Sequence, residues 1–129
     1  MVVLYVDPDP VVRSRRAALL AQGGHTVHEA DGAEAAVTIA QALNPLDVLV
    51  TEGLLGGDFT GFDLRDAVRA KFPGLRTVFT SRHELSDFGE FIENSAVLRE
   101  PFEDKALAAA VAGRRVRQGR LEEDERRLA

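Results

Sequence analysis

Four acidic residues follow short apolar runs in this sequence, and carboxylates in such positions could carry chemistry. Asp7 and Asp9 follow the run VVLYV, Glu52 follows VLVT, and Glu100 lies just after AVL. Carboxylate oxygens are the ligands that Mg²⁺ and Ca²⁺ prefer in proteins. If the fold brings the four acids together, they would form an oxygen-rich site for a divalent cation or for chemistry that needs one.

The elements that must position these acids alternate regularly along the chain. The apolar runs predict five strands at residues 2–6, 26–28, 48–51, 77–80 and 96–98. Amphipathic stretches between them predict helices at 10–22, 32–43, 61–71, 84–93 and from 103 onward. Repeated strand–helix units of this length favour an α/β domain with a parallel sheet covered by helices on both faces. Ligands of such sheets bind beyond the carboxyl ends of the strands, where the acids lie.

Helix starts are marked by residues that cap backbone N–H groups. The pairs are Asp9 before Pro10, Asp31 with Glu34, Thr60 with Asp63, and Ser81 with Glu84. Because Asp followed by Pro is a common helix entry, we interpret Asp9 as an N-cap in preference to a metal ligand. Three acids then remain for a site at the sheet edge.

Composition limits the function classes. The 129 residues make about one domain, with 45% apolar and 29% charged residues and no cysteine. The absence of cysteine excludes disulfides and thiolate metal sites and fits a cytoplasmic location. No apolar run approaches the roughly 20 residues of a membrane span. The net charge of −5 argues against nucleic-acid binding by the domain.

Several motifs together resemble the receiver domain of bacterial two-component response regulators. They are VDPDPVVR, DVLVTE with the following GGDFTGFDL turn, TVFTS, and REPF, in that order at compatible spacings over residues 1–112. The resemblance implies a flavodoxin-like, doubly wound sheet of five parallel strands in the order 2-1-3-4-5. It also implies phosphoryl transfer from a partner histidine kinase to an aspartate after the third strand, with Mg²⁺ held by an acidic pair after the first.

Three positions depart from the pattern that the resemblance implies. Glu52 stands at the phosphoacceptor position, and its extra methylene displaces the carboxylate by an amount that can cost about a hundredfold in rate. Pro8 replaces the second member of the acidic pair and offers no ligand oxygen. Glu100 stands where the family has a lysine that meets the phosphoryl group, which reverses the charge there. Asp7 and the switch hydroxyl Thr80 match the pattern.

The remaining site residues allow more than one interpretation. Pro101 follows Glu100 as a proline follows the family's lysine. The ordinary expectation for Glu100 is a solvated side chain that turns outward, which would leave Arg82 or Arg99 to neutralise Glu52. Glu52 itself is either a charge that mimics a phosphorylated aspartate or a structural hydrogen-bond acceptor.

The sequence therefore predicts a degenerate receiver that works without phosphorylation, is not an enzyme and uses no cofactor, with Mg²⁺ binding weak. Its partner would be a protein or an output domain. The resemblance implies that the partner binds at the face of helix 84–93, the fifth strand and the last helix. That face also permits a homodimer, and we expect no membrane binding. Alternatives are an active receiver phosphorylated at Glu52 or at Asp58, and a module that binds divalent cations through Asp7, Asp9, Glu52 and Glu100. A small-molecule enzyme is the weakest alternative, because no phosphate-binding glycine motif follows the first strand.

The last segment of the chain differs from the rest in charge. Residues 113–129 hold six arginines, all between positions 114 and 127, and a run of four acids at 122–125. Oppositely charged residues recur there at the i,i+4 spacing that stabilises exposed helices. We predict a charged extension of the last helix or a linker.

Overall fold

The computed structural model describes residues 1–55, 59–82, 94–113, 116–117 and 120–121. The elements are β1 (Val2–Val6), α1 (Pro10–Gln22), β2 (Thr26–Ala30), α2 (Ala33–Ala42), β3 (Val48–Glu52), α3 (Gly61–Arg69), β4 (Arg76–Ser81), β5 (Ser95–Arg99), α4 (Asp104–Val111), β6 (Val116–Arg117) and β7 (Arg120–Leu121). All five predicted strands and four of the five predicted helices are present. The predicted helix at 84–93 lies outside the described residues.

The main sheet has five parallel strands in the order β2-β1-β3-β4-β5. This order confirms the expected doubly wound topology. The strand order reverses between β1 and β3, because the chain places β2 on one side of β1 and β3 on the other. The loops that follow β1 and β3 therefore start next to each other at one edge of the sheet. The carboxyl ends of all five strands face the same edge, which we call the carboxyl edge.

Apolar residues pack on both faces of the sheet. Alternate residues of β1 point to opposite sides: Val3 and Tyr5 pack with α1 and α4, whereas Leu4 and Val6 pack with α2 and α3. The same division holds along β3, whose residues Val48–Thr51 are fully buried. Burial on both faces explains why these strands are near-continuous apolar runs.

Three of the predicted helix starts can be compared with the structure. Asp9 caps α1 by accepting hydrogen bonds from two backbone N–H groups, with Pro10 in the first turn, which confirms its predicted role. Thr60 and Asp63 form the predicted reciprocal capping box of α3. The predicted cap at Asp31 is wrong: α2 begins after Gly32 and has no side-chain cap, so Asp31 stays on the exposed turn. Ser81 is the last residue of β4, and its proposed partner at position 84 lies outside the described residues.

A short antiparallel hairpin follows the last helix. α4 ends at Val111, and β6 then pairs with β7 through Val116 opposite Leu121 and Arg117 opposite Arg120. The helical alternative for this segment is therefore wrong at these four residues, because i,i+4 charge pairs alone are worth only a few tenths of a kcal/mol each. The hairpin backbone lies beside β5 and α4. Within the described part of the chain, no helix combines the length and apolar character needed to cross a membrane.

Candidate functional site

The sheet brings the predicted site residues to one edge. Asp7 follows β1, and Glu52 ends β3 directly opposite Thr80 of β4. Ser81 lies opposite Arg99 at the end of β5, and Glu100 follows. The backbone N–H of Glu100 donates to the Ser81 carbonyl at 2.7 Å, which ties the residue to the end of β4.

The loop between β1 and α1 uses its two acids to shape the chain. One carboxylate oxygen of Asp7 accepts the backbone N–H of Asp9 at 2.8 Å. Arg13 donates to the Asp7 carbonyl at 2.8 Å and forms an ion pair with Glu29 at 3.2 Å. The Asp9 carboxylate serves as the α1 cap. Both acids are thus already engaged in local structure.

The backbone around Glu52 is closely packed against the start of α3. The carbonyl of Glu52 lies so near Gly61 that a Cβ atom at position 61 would collide with it. Gly53 donates its N–H to the Thr80 carbonyl at 3.0 Å and accepts the N–H of Gly61 at 2.9 Å. Glycine is therefore required at 61 by close approach of two backbone segments. The Glu52 side chain is half-buried, and Thr80 is buried.

Glu100 is held by two arginines. One carboxylate oxygen is 2.6 Å from an Arg16 Nη atom, and the other is 3.1 Å from Arg82 Nε. The Glu100 side chain is only 19% exposed, so the expectation of a solvated, outward side chain is wrong. It fails because Arg16, in the first helix, supplies a buried counter-charge. Arg82, one of the two arginines expected to neutralise Glu52, forms an ion pair with Glu100.

The electrostatics of Glu100 follow from this pairing. Burial alone would raise the pKa of the Glu100 carboxyl, but the hydrogen bonds and charges of Arg16 and Arg82 outweigh it and hold that pKa below its usual value. The pKa of Arg82 is raised, first by its hydrogen bond to Glu100 and more weakly by the charges of Glu52 and Asp7. Arg82 therefore supplies positive charge that contacts Glu100 and weakly influences Glu52 and Asp7.

Arg16 is the residue that sequence reasoning missed. Its side chain is 9% exposed, and one Nη atom donates to the Tyr5 hydroxyl at 3.2 Å. Its guanidinium lies over the Phe102 ring, 4.3 Å from the centroid. Burial raises the pKa of Tyr5 to about 12, so its hydroxyl stays protonated. A signal was available, because Arg16 lies four residues from Leu20 on the apolar stripe of α1 and is charged where an apolar residue is expected.

Comparison with known proteins identifies the fold. No family model and no curated protein sequence matches this chain. Among solved structures, it is similar to the receiver domain of the hybrid histidine kinase CckA, at 27% identity and a TM-score of 0.75, covering 88% of this chain and 97% of the other. It is also similar to a response regulator receiver protein from Sinorhizobium medicae, at 19% identity and a TM-score of 0.80, covering 88% and 92%. The chain has the fold of a response-regulator receiver domain.

A third receiver structure belongs to a larger protein. It is the N-terminal domain of a response regulator/sensory box/GGDEF three-domain protein from Carboxydothermus hydrogenoformans, at 21% identity and a TM-score of 0.70, covering 88% of this chain and 92% of the other. Receiver domains thus occur as one part of multi-domain chains.

The carboxyl edge of this chain does not fit the Mg²⁺ site that the family resemblance implies. Pro8 offers no side-chain oxygen, one oxygen of Asp7 is occupied by a backbone N–H, and Asp9 caps a helix. In the described ranges, no three His, Cys, Asp or Glu side chains come close enough together to hold a metal ion. Arg82 supplies positive charge beside Glu100 at this edge. Pro101, which was expected to follow the lysine position, is exposed. Asp58, the alternative phosphoacceptor, lies outside the described residues.

Proposed function

We propose that this receiver domain acts without phosphorylation, as a signalling module that binds protein partners and has no enzymatic activity. The observation that supports the proposal is the paired carboxylate of Glu100 at the position of the family's lysine. A lysine there would neutralise the charge that builds up on a transferred phosphoryl group. Glu100 adds negative charge instead, and its two arginines are needed to balance it.

Glu52 and Pro8 support the same proposal. An aspartate carboxylate at the end of β3 would sit closer to the backbone than the Glu52 carboxylate does, and an error of about 1 Å in an attacking group can cost about a hundredfold in rate. Pro8 removes the ligand that would place the cation beside the acceptor. Each of the three substitutions acts on a different requirement of phosphoryl transfer, so their effects would multiply.

One observation favours a second candidate, a receiver that still accepts a phosphoryl group on Glu52. The Arg82 side chain is 69% exposed, and the charge of Glu52 contributes to raising its pKa. If Arg82 left Glu100, it could meet a phosphoryl group in place of the missing lysine. We favour the first candidate because Arg82 in its present position is neutralised by Glu100 at 3.1 Å.

Partner binding is proposed at the face formed by β5 and α4 together with the region of the predicted helix 84–93. α4 presents Lys105 and Ala108 to solvent, and β5 is the edge of the sheet, with its first three residues half-buried. The β6–β7 hairpin lies beside this face and would form part of what a partner contacts. The partner is a separate protein, an output domain or a second copy of the chain.

Incubation with acetyl phosphate and Mg²⁺, followed by intact mass spectrometry, tests the proposal. A receiver with the usual aspartate and lysine serves as the positive control. We expect no increase in the mass of this protein under conditions that modify the control fully. A stoichiometric gain of one phosphoryl group would refute the first candidate, and loss of that gain in Glu52→Gln would establish the second.

Restoring the family's residues is the complementary test, and the structure shows that a fourth substitution is needed. Glu52→Asp, Pro8→Asp and Glu100→Lys replace the three departures, but the new lysine would then face Arg16 and Arg82 with no carboxylate between them. The positive charges of the lysine and the two arginines would repel one another, most strongly at the buried Arg16. We therefore expect phosphoryl uptake only when Arg16→Met is added to the triple change. Uptake by Glu52→Asp alone would contradict our assignment of the site.

A further inference from the structure

Three charged side chains from separate parts of the chain meet in one ion-pair network. Arg16 comes from the second turn of α1, Arg82 follows β4, and Glu100 lies in the loop between β5 and α4. Glu100 is the centre, because each of its oxygens pairs with a different arginine. The network therefore links one helix and two strand ends through a single carboxylate.

The Arg16 side of the network is buried and has several partners. Beyond Glu100, the guanidinium contacts the Tyr5 hydroxyl of β1 and the ring of Phe102, which lies two residues after Glu100 in the same loop. Phe102 packs against the core formed by β1, β3, β5 and α4. A buried arginine that loses its carboxylate keeps an uncompensated charge, so the pair is costly to open. The Arg82 side is exposed and adds less.

We propose that Arg16, Glu100 and Arg82 form a permanent clamp that holds the β5–α4 loop in one position. The proposal rests on the proposed phosphorylation-independent function and names the part of the chain that would make it work. The clamp uses charges that the chain itself carries, so it needs neither a cation nor a covalent modification. The surface beside the loop would then be presented to a partner at all times.

Hydrogen exchange of the loop tests the clamp. The N–H of Glu100, bonded to the Ser81 carbonyl at 2.7 Å, reports opening of the loop, and the N–H of Val50 in the central strand reports global unfolding. In Glu100→Gln and in Arg16→Met, we expect exchange at position 100 to speed up by about tenfold or more, and by more than at Val50. In Arg82→Gln the increase should be only about two- to threefold, since that pair is exposed.

Arg15→Gln provides a matched control. Arg15 adjoins Arg16 on α1 and also forms an ion pair across to the last helix, with Asp104 at 3.1 Å, but both side chains are more than half exposed. We expect exchange at position 100 to remain within about twofold of the unsubstituted protein. If Glu100→Gln and Arg16→Met resemble this control, the clamp does not exist. If they raise exchange equally at position 100 and at Val50, the pair only contributes to global stability, and the proposal is also overturned.

The clamp and the proposed function can fail separately. Phosphoryl uptake by the unsubstituted protein would refute the proposed function whatever the exchange of the loop. An unchanged loop in Glu100→Gln, together with no phosphoryl uptake, would leave the proposed function standing and remove only the clamp.

Discussion

The buried Arg16–Glu100 pair should show strong energetic coupling in a double-mutant cycle. Glu100→Gln keeps the shape of the side chain but leaves the charge of Arg16, which is 9% exposed, without its counter-ion. Breaking one side of a fully buried pair costs about 3–5 kcal/mol. Because Glu100 remains 19% exposed and glutamine can still accept a hydrogen bond, we expect a loss of about 2–3 kcal/mol in the free energy of unfolding.

The second arm of the cycle removes the arginine. Arg16→Met also loses the hydrogen bond to Tyr5 but leaves Glu100 with Arg82, so we expect a smaller cost of about 1–2 kcal/mol. In the double variant no buried charge is left without a partner. Its cost should therefore be near that of Arg16→Met alone, which makes the coupling energy about 2–3 kcal/mol, the cost of Glu100→Gln.

Urea denaturation followed by far-ultraviolet circular dichroism measures these values, since the chain has no tryptophan and a single tyrosine. The exposed pair Arg15 and Asp104 gives the control cycle, for which we expect a coupling energy below about 0.5 kcal/mol. If the effects of Arg16→Met and Glu100→Gln simply add, the reasoning about the buried charge is wrong. A domain of this size should tolerate all these variants, because stabilities of about 5–15 kcal/mol are usual.

Three further predictions concern pH, backbone packing and the first helix. The pKa of Glu100 is lower in the folded chain than in the unfolded one. The contribution of Glu100 to the free energy of unfolding is therefore complete above about pH 4.3 and is lost as the pH falls through the folded pKa. The stability difference between the unsubstituted protein and Glu100→Gln, measured in urea at several pH values, should therefore shrink in acid; a difference that is constant down to low pH would contradict the ion pair. Gly61→Ala places a methyl group against the Glu52 carbonyl and should cost about 1–3 kcal/mol in denaturation, whereas Gly74→Ala, which meets no neighbour, should cost far less; equal effects would argue against the close approach. Asp9→Ala should lower stability by about 1 kcal/mol and leave Mg²⁺ titration heats unchanged; unchanged stability with altered heats would make Asp9 a ligand and not a cap.

Much of the fold could be predicted because its signals are local. Residues 48–50 are apolar at three successive positions, which is typical of a strand covered on both faces. The caps at Asp9 and Thr60 form within three residues of sequence, so residue identity alone indicates them. The wrong prediction at Asp31 shows the limit of such signals. An acid near a helix start caps the helix only if the turn brings its side chain to the free backbone N–H groups, and here Gly32 occupies the N-cap position instead.

The side-chain partners at the site could not be predicted in the same way. The sequence indicated that Glu100 replaces a lysine, and it could not indicate what would balance the charge. Arg82 and Arg99 were expected beside Glu52, and Arg16 had no expected role. The outcome depends on the packing of α1 against the β5–α4 loop, which brings Arg16 within 2.6 Å of Glu100.

Local sequence patterns were enough to predict the order of strands and helices along the chain, the edge at which the acids gather, and the residue types that depart from the receiver pattern. These follow from apolar periodicity and from motifs that span a few residues each. The folded chain was needed to show that Glu100 turns inward between two arginines, that the Asp7 carboxylate accepts a backbone N–H, and that Gly61 must lack a side chain. Pairing of charges is decided by distance and burial, and both arise only when segments far apart in the chain pack against each other.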